Sequence, residues 1–262
     1  MSIIQGTVKG GSASFYDFPI DQSLRFDGSS YLSRTFGSGN KKTCTWSSWV
    51  KRSSLAKTNQ LINNFSGAGD YGQIVFDSND KLEIFIRNSS EVTTCVFITN
   101  AVYRDVNAWY HIVVFIDTTQ ATQTNRFKLY VNGVQVTSFS AATYPTIQYM
   151  DLDFQIASRL HTIGTRADGG TALQYFEGYL ANIQFIDGQA LDASYFGETK
   201  DDIWIPKTFD GTSSTGGSTV STDYGTNGFL LDFSSISGTT INDTAPIDTN
   251  HSSANNWTAT GF

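Results

Sequence analysis

The segment Phe127–Val136, FKLYVNGVQV, constrains the fold of this chain more than any other. Apolar residues alternate on both sides of Asn132-Gly133, and both central residues tolerate positive φ. A two-residue type I′ hairpin turn needs that conformation twice in succession, so the segment predicts two antiparallel strands in tight register. The same alternation recurs along the chain. Leu24 and Phe26 share one face of SLRFDG, with Asp27-Gly28 as the turn. Cys44, Trp46, Ser48 and Val50 share one face of CTWSSWVKR; Thr45, Ser47 and Trp49 share the other. Leu82, Ile84 and Ile86 alternate with Glu83, Phe85 and Arg87. A helical period is not sustained over about 11 residues anywhere.

Two segments depart from simple alternation. WYHIVVFID is apolar nearly throughout, which predicts a strand covered on both faces. In YFEGYLANIQFIDG, Phe176, Gly178 and Leu180 have one parity and Ile183 and Phe185 the other, so a bulge is expected near Ala181-Asn182. The 19 Phe and 12 Tyr suit pleated surfaces, and the 23 Gly suit the turns between them. These patterns predict an all-β protein, with an antiparallel two-sheet sandwich over residues 23–191. Residues 1–22, broken by Gly6, Gly10, Gly11 and Pro19, are expected to form an irregular arm. Residues 192–262 are expected to form a C-terminal extension. It would hold an exposed Ser/Thr/Gly-rich loop at 208–222, one further strand in GFLLDFS (228–234), and a polar end with Trp257 as its single large anchor.

Charge and composition disfavour several functions. The net charge is −7 and the only basic doublets are Lys41-Lys42 and Lys51-Arg52, so a nucleic-acid backbone would meet net repulsion. The first twenty residues lack the basic-then-apolar pattern of a secretory signal, and no run approaches the ~18–20 apolar residues of a membrane span. Two cysteines are too few for a disulfide framework. Cys44 and Cys95 are expected as small buried residues, with a cross-strand bridge as the alternative.

Taken in order, SLRFDGSSYLS, CTWSSWVKR, NAWYHIVVFID, KLYVNGVQV and FEGYLANIQFIDGQAL resemble the laminin-G-like branch of the concanavalin A-like superfamily. That resemblance implies a jelly roll of two packed antiparallel sheets. A narrower one joins FYDFPIDQSLRFDG, CTWSSWVKRSSL, YLANIQFIDGQAL, GTNGFLLDFS and NNWT. Together these look like phage-encoded virion structural or tail-associated proteins. This implies a particle component assembled in the host bacterial cytoplasm, with other virion proteins and copies of itself as partners. Contact with host-surface glycans would be an added role. Ala181 stands where many members carry an acidic residue, and the chain stops at Phe262 where relatives are expected to continue.

The superfamily also contains glycoside hydrolases, which need two facing carboxyl groups. Its hydrolases carry E-x-D-x-x-E on one strand, and the closest approach here is Asp151-Leu152-Asp153, with Ile156 in the third position. No catalytic, cofactor or metal residue is therefore assigned. Asp151 and Asp153 are expected to be solvated turn residues, with a calcium site using loop carbonyls as the alternative. His111 is expected to be a structural histidine of a core strand. His161 and His251 are expected in polar loops, without a triad constellation. Gly37-Ser38-Gly39 and Gly169-Gly170 are read as turn glycines. Tyr71, Tyr144, Tyr149 and Tyr175, in or beside predicted loops, are candidates for stacking on sugar rings. Phe15, Tyr16, Phe18, Trp204 and Trp257 are expected to anchor the arm and extension, on neighbouring subunits or on the sandwich itself. The reading is a non-catalytic phage virion protein with a lectin-like sandwich. A free carbohydrate-binding lectin is the alternative, and a glycoside hydrolase comes third.

Overall fold

A computed structural model describes residues 17–64, 69–88, 93–168, 171–248, 251 and 253–262. Phe15, Tyr16 and Gly169-Gly170 lie outside the described residues. In chain order the strands are β1 (Leu24–Asp27), β2 (Tyr31–Thr35), β3 (Thr43–Arg52), β4 (Asn59–Asn63), β5 (Tyr71–Phe76), β6 (Lys81–Arg87) and β7 (Thr93–Val102). Then come β8 (Tyr110–Asp117), β9 (Phe127–Val131), β10 (Val134–Gln135), β11 (Phe139–Thr143), β12 (Leu160–Ile163), β13 (Arg166–Asp168) and β14 (Thr171–Leu173). The last are β15 (Glu177–Asp187), β16 (Gly197–Lys200), β17 (Ile203–Pro206), β18 (Phe229–Leu231), β19 (Ile236–Ser237), β20 (Thr240–Ile241) and β21 (Trp257–Thr260). Two short 3-10 turns are the only helical pieces among the described residues.

Two antiparallel sheets make the sandwich. The first runs β1-β15-β3-β8-β9-β10, with β18 also paired to β15; the second runs β11-β7-β6-β5-β4-β12-β2-β21-β20-β19. The predicted hairpin joins β9 and β10, with φ of 49° at Asn132 and 78° at Gly133. The predicted bulge lies in β15, where the register against β3 shifts between Ala181 and Gln184 and Asn182 takes φ 44°. It lets Leu180 and Ile183, of opposite parity, both enter the core. That core lies between the sheets and includes Phe26, Trp46, Ile84, Phe97 and Phe185.

The first sheet is buried on its outer face too. Ile112, Val114 and Ile116 of β8 point into the sandwich, whereas Val113 and Phe115 join Phe196, Phe209 and Tyr224 in a second apolar cluster. Alternate side chains of a strand point to opposite faces, so the run Ile112 to Ile116 of β8 is apolar at every position. Its cover comes from the chain beyond Leu191. That segment also supplies sheet members: β18 pairs β15, and β21 pairs β2. Trp257 is fully buried, with ring centroids 5.0 Å from Phe229 and 6.1 Å from Phe36.

One expectation about an individual residue changes. His161 was placed in a polar loop but lies within β12, buried and stacked on Phe36 at 3.6 Å. Four residues give too few alternations to signal a strand when the flanks are polar. His251 is outside any strand but is also buried, its Nε2 3.0 Å from Asp243 Oδ2. Cys44 and Cys95 are both buried free thiols.

Candidate functional site

One end of the sandwich gathers four loops around residues 37–42. Asp187, the last residue of β15, is the anchor: Oδ1 accepts the Asn40 N–H at 2.7 Å and Oδ2 accepts the Asn227 N–H at 3.0 Å. Burial pushes its carboxyl above the usual range, and those hydrogen bonds pull in the opposite direction. Asn227 grips the backbone of Gly37 twice, accepting from its N–H at 2.8 Å and donating to its carbonyl at 3.0 Å. Gln155 donates to the Asn40 carbonyl at 2.7 Å. Gly39 crosses above these groups so closely that a Cβ would stand inside 3.0 Å of the Asn227, Asp187 and Gln155 side chains. A larger residue there would have to displace these hydrogen-bonded side chains.

The braced loop separates two hollows. One, of about 430 Å³, is lined by Ser38, Asn40, Gln189, Ser221, Asp223 and Thr226 among others. Gln189 holds its far wall by donating to the carbonyls of Ser221 at 3.1 Å and Asp223 at 2.8 Å. The second, of about 510 Å³, lies between the same loop and Asp151, Gln155 and Ala157. Short amide, hydroxyl and backbone groups line most of the first, and the second adds the charged Lys41, Lys42 and Asp151. Such a surface offers donors and acceptors at fixed positions to a polyhydroxylated ligand, with little ordering cost on binding.

Of the sequence-predicted candidates, Asp151 falls on this rim and Asp153 and Tyr149 are its near neighbours in sequence. Asp151 lines the second hollow and pairs with Lys42 at 2.7 Å; Asp153 pairs with Lys41 at 3.3 Å. Each carboxylate thus faces an ammonium group. Tyr149, two residues before Asp151, is 59% exposed and donates its backbone N–H to the Thr118 carbonyl. Tyr71, Tyr144 and Tyr175 are spread elsewhere. Tyr71 stacks on Phe85 at 5.2 Å, Tyr144 packs edge-on against Phe97 at 4.6 Å, and Tyr175 lies 6.4 Å from Tyr31.

A second cluster of aromatic and polar side chains was not anticipated. On the outer face of the first sheet, Trp49 of β3 is the cross-strand neighbour of His111 of β8, and their rings stack at 4.8 Å. Trp204 of β17 donates its Nε1–H to His111 Nδ1 at 2.9 Å. With Nδ1 accepting, the imidazole proton must sit on Nε2, which then donates to Ser47 Oγ at 2.9 Å. Burial lowers the His111 pKa to about 3, so this neutral tautomer is held. Trp204 is admitted by Gly133 and Gly197, where a Cβ would stand inside 3.0 Å of the indole. Trp49, Trp204 and Trp109 then line one groove of about 510 Å³, walled by Pro19–Ser23. The available signal was the parity of Thr45, Ser47 and Trp49, which sets a tryptophan on the outer face of β3.

The sequence pattern of the concanavalin A-like lectin/glucanases superfamily matches residues 26–194, well over half of the chain. The chain belongs to that superfamily. No curated protein sequence matches it. Among solved structures, a putative carbohydrate binding protein from Bacteroides ovatus ATCC 8483 aligns with TM-score 0.52 at 16% identity. That alignment covers 91% of this chain and 59% of the other, so this superfamily member spans under two thirds of that relative. A heptameric SAP-like pentraxin from Limulus polyphemus aligns with TM-score 0.47 and 15% identity, over 66% of this chain and 79% of its own. Domain 4 of AbnA, a GH43 extracellular arabinanase from Geobacillus stearothermophilus, in complex with arabinotriose, gives 0.47 and 18%, over 68% and 76%. At these identities the likeness is one of fold.

Proposed function

We propose that this chain is a non-catalytic, lectin-like component of a phage particle whose sandwich rim contacts host-surface glycans. The observation that carries the glycan reading is the braced polar rim, with Ser38, Asn40, Gln189 and Thr226 presented around two adjoining hollows and the exposed Tyr149 nearby. Sugars are recognised by such sets of short polar groups beside an aromatic face. The likeness of fold to a putative carbohydrate binding protein supports it. The non-catalytic reading is supported by Ile156 in the third position of the carboxylate pattern and by the engagement of Asp151 and Asp153 in ion pairs with Lys42 and Lys41. The particle setting is supported by the resemblance of the arm, sandwich and C-terminal segments to phage structural proteins.

Two measurements test these parts separately. A glycan array probed with the purified chain should give defined hits that weaken at least tenfold in Ser38→Trp, which places a bulky ring between the hollows. Hits unaffected by that substitution would remove the rim from the proposal. Mass spectrometry of purified particles should find the chain in many copies. Its absence there, with glycan binding retained, favours the free lectin, which the same rim serves equally well.

A further inference from the structure

We propose that the three-tryptophan groove on the outer face of the first sheet is a second carbohydrate site, taking an uncharged sugar chain. It shares no lining residue with the rim hollows, so it stands or falls independently of them. Its lining includes Ala181 of β15, the cross-strand neighbour of Trp49, whose small side chain takes up little of that space. One wall is the segment Pro19–Ser23 and the other carries Trp204 and Pro206.

The aromatic faces are fixed before any ligand arrives. The His111 ring is 4.8 Å from Trp49 and 5.9 Å from Trp204, with interplanar angles of 20° and 23°, and Trp204 is hydrogen-bonded to its Nδ1. The Trp204–His111–Ser47 hydrogen-bond chain locks Trp204 in rotation as well as position. Rigid indoles supply a large contact area at low entropic cost, which is the main expense of binding a flexible oligosaccharide. A pyranose ring presents a face of C–H groups that packs on an indole, and an edge of hydroxyls that needs polar partners. Asp21, Gln22 and Ser23 provide those partners along the wall.

Charge selects among sugars. Among the described residues, Asp21 is the only charged one lining the groove, and the chain carries −7 overall. A uronic or sialic acid would find no counter-charge and would be repelled, whereas a neutral hexose chain meets neither penalty. Tryptophan and proline together also suit a proline-rich peptide in an extended left-handed helix. The hydroxyl and carboxylate partners along one wall favour the sugar.

The test follows tryptophan emission and binding heat of the full chain against a neutral and acidic oligosaccharide panel, with a proline-rich decapeptide as the competing ligand. The expected result is a shift in emission with at least one neutral oligosaccharide. Its affinity should fall tenfold or more in Trp109→Ala, as truncation of a central tryptophan anchor does elsewhere. Ser23→Trp fills the groove from an exposed position without touching the core, and should block the same ligand. Ser38→Trp on the rim should leave it unchanged. Near-ultraviolet circular dichroism of each variant reports whether it folds. The proposal is overturned if no neutral sugar shifts the emission, if binding survives Ser23→Trp, or if acidic sugars or the peptide bind this groove more tightly. A rim that fails its own test leaves these outcomes untouched.

Discussion

Replacing Trp257 with alanine tests whether the last strand is part of the cooperative sandwich or merely laid against it. Trp257 is fully buried on β21, between Phe36 of the loop after β2 and Phe229 of β18. A buried tryptophan withdraws about 150–250 Å² from water, which at about 25 cal/mol per Å² is about 4–6 kcal/mol as an upper bound. Measured Trp→Ala losses in cores run about 3–5 kcal/mol, so a loss near 4 kcal/mol is expected. At about 2–4 °C per kcal/mol for a domain of roughly this size, the melting temperature should fall by about 8–16 °C. The Trp257 Nε1–H is buried without an acceptor, so Trp257→Phe removes an unsatisfied donor while keeping a ring. That variant should lose less than about 1.5 kcal/mol. Urea unfolding followed by far-ultraviolet circular dichroism gives both values, with unchanged slope confirming that only stability moved. A loss below about 1 kcal/mol for Trp257→Ala would refute the reasoning, because the C-terminal strand would then contribute little to the core it occupies.

Three further outcomes follow from buried groups. His111 is held neutral with a pKa near 3, below the ~6.5 of an unfolded histidine, so its contribution is complete above pH 6.5 and is lost as pH falls toward 3. Between pH 7 and 5 this one residue should cost about 2 kcal/mol, read as the difference in urea-midpoint slope between the native chain and His111→Gln; parallel slopes would refute it. Burial pushes the Asp80 carboxyl up, but hydrogen bonds from Arg104, the Ala56 N–H and the buried Arg52 hold it below the usual carboxylate range. Its stabilisation is therefore present above about pH 4 and lost as pH falls below that. Asp80→Asn should cost about 3–5 kcal/mol near neutrality and flatten the acid limb of the stability curve. Burial raises both cysteine thiols, so Cys44 and Cys95 should react with a thiol-specific disulfide reagent only after denaturation; rapid labelling of the native chain would contradict their placement.

What the sequence reveals depends on how local the physics is. The Asn132-Gly133 hairpin and the β15 bulge were legible because turn conformation and strand parity are written within ten residues. The four-residue β12 was not, since LHTI between polar flanks has too few alternations to stand out, and its histidine was misplaced with it. β21 joins β2 across more than two hundred residues, and WTAT carries no signal naming its partner. The rim was partly legible: Asp151 was singled out, but its sharing of a hollow with Asn40, and the meeting of Asn40 with Asp187 and Thr226, depend on distant loops.

The tryptophan groove shows how a fold-level inference could have gone one step further. An apolar β8 in the middle of a sheet requires cover on its outer face, and the sandwich strands themselves face inward. The cover therefore had to come from outside residues 23–191, and the chain from Leu191 to Ala245 supplies it. β3 lies beside β8 and carries Thr45, Ser47 and Trp49 on that same outer face. The first two are hidden: Thr45 bonds the Gln189 carbonyl and the Leu191 N–H, and Ser47 bonds His111. Trp49 lies nearer the opposite end of β3, where Trp204 and Pro206 form one wall and Pro19–Ser23 the other. A large aromatic that must leave the core, at the point where its cover ends, has either a ligand or water for a neighbour. Three tryptophans converging there, two of them locked by one neutral histidine, are a costly arrangement to leave to water.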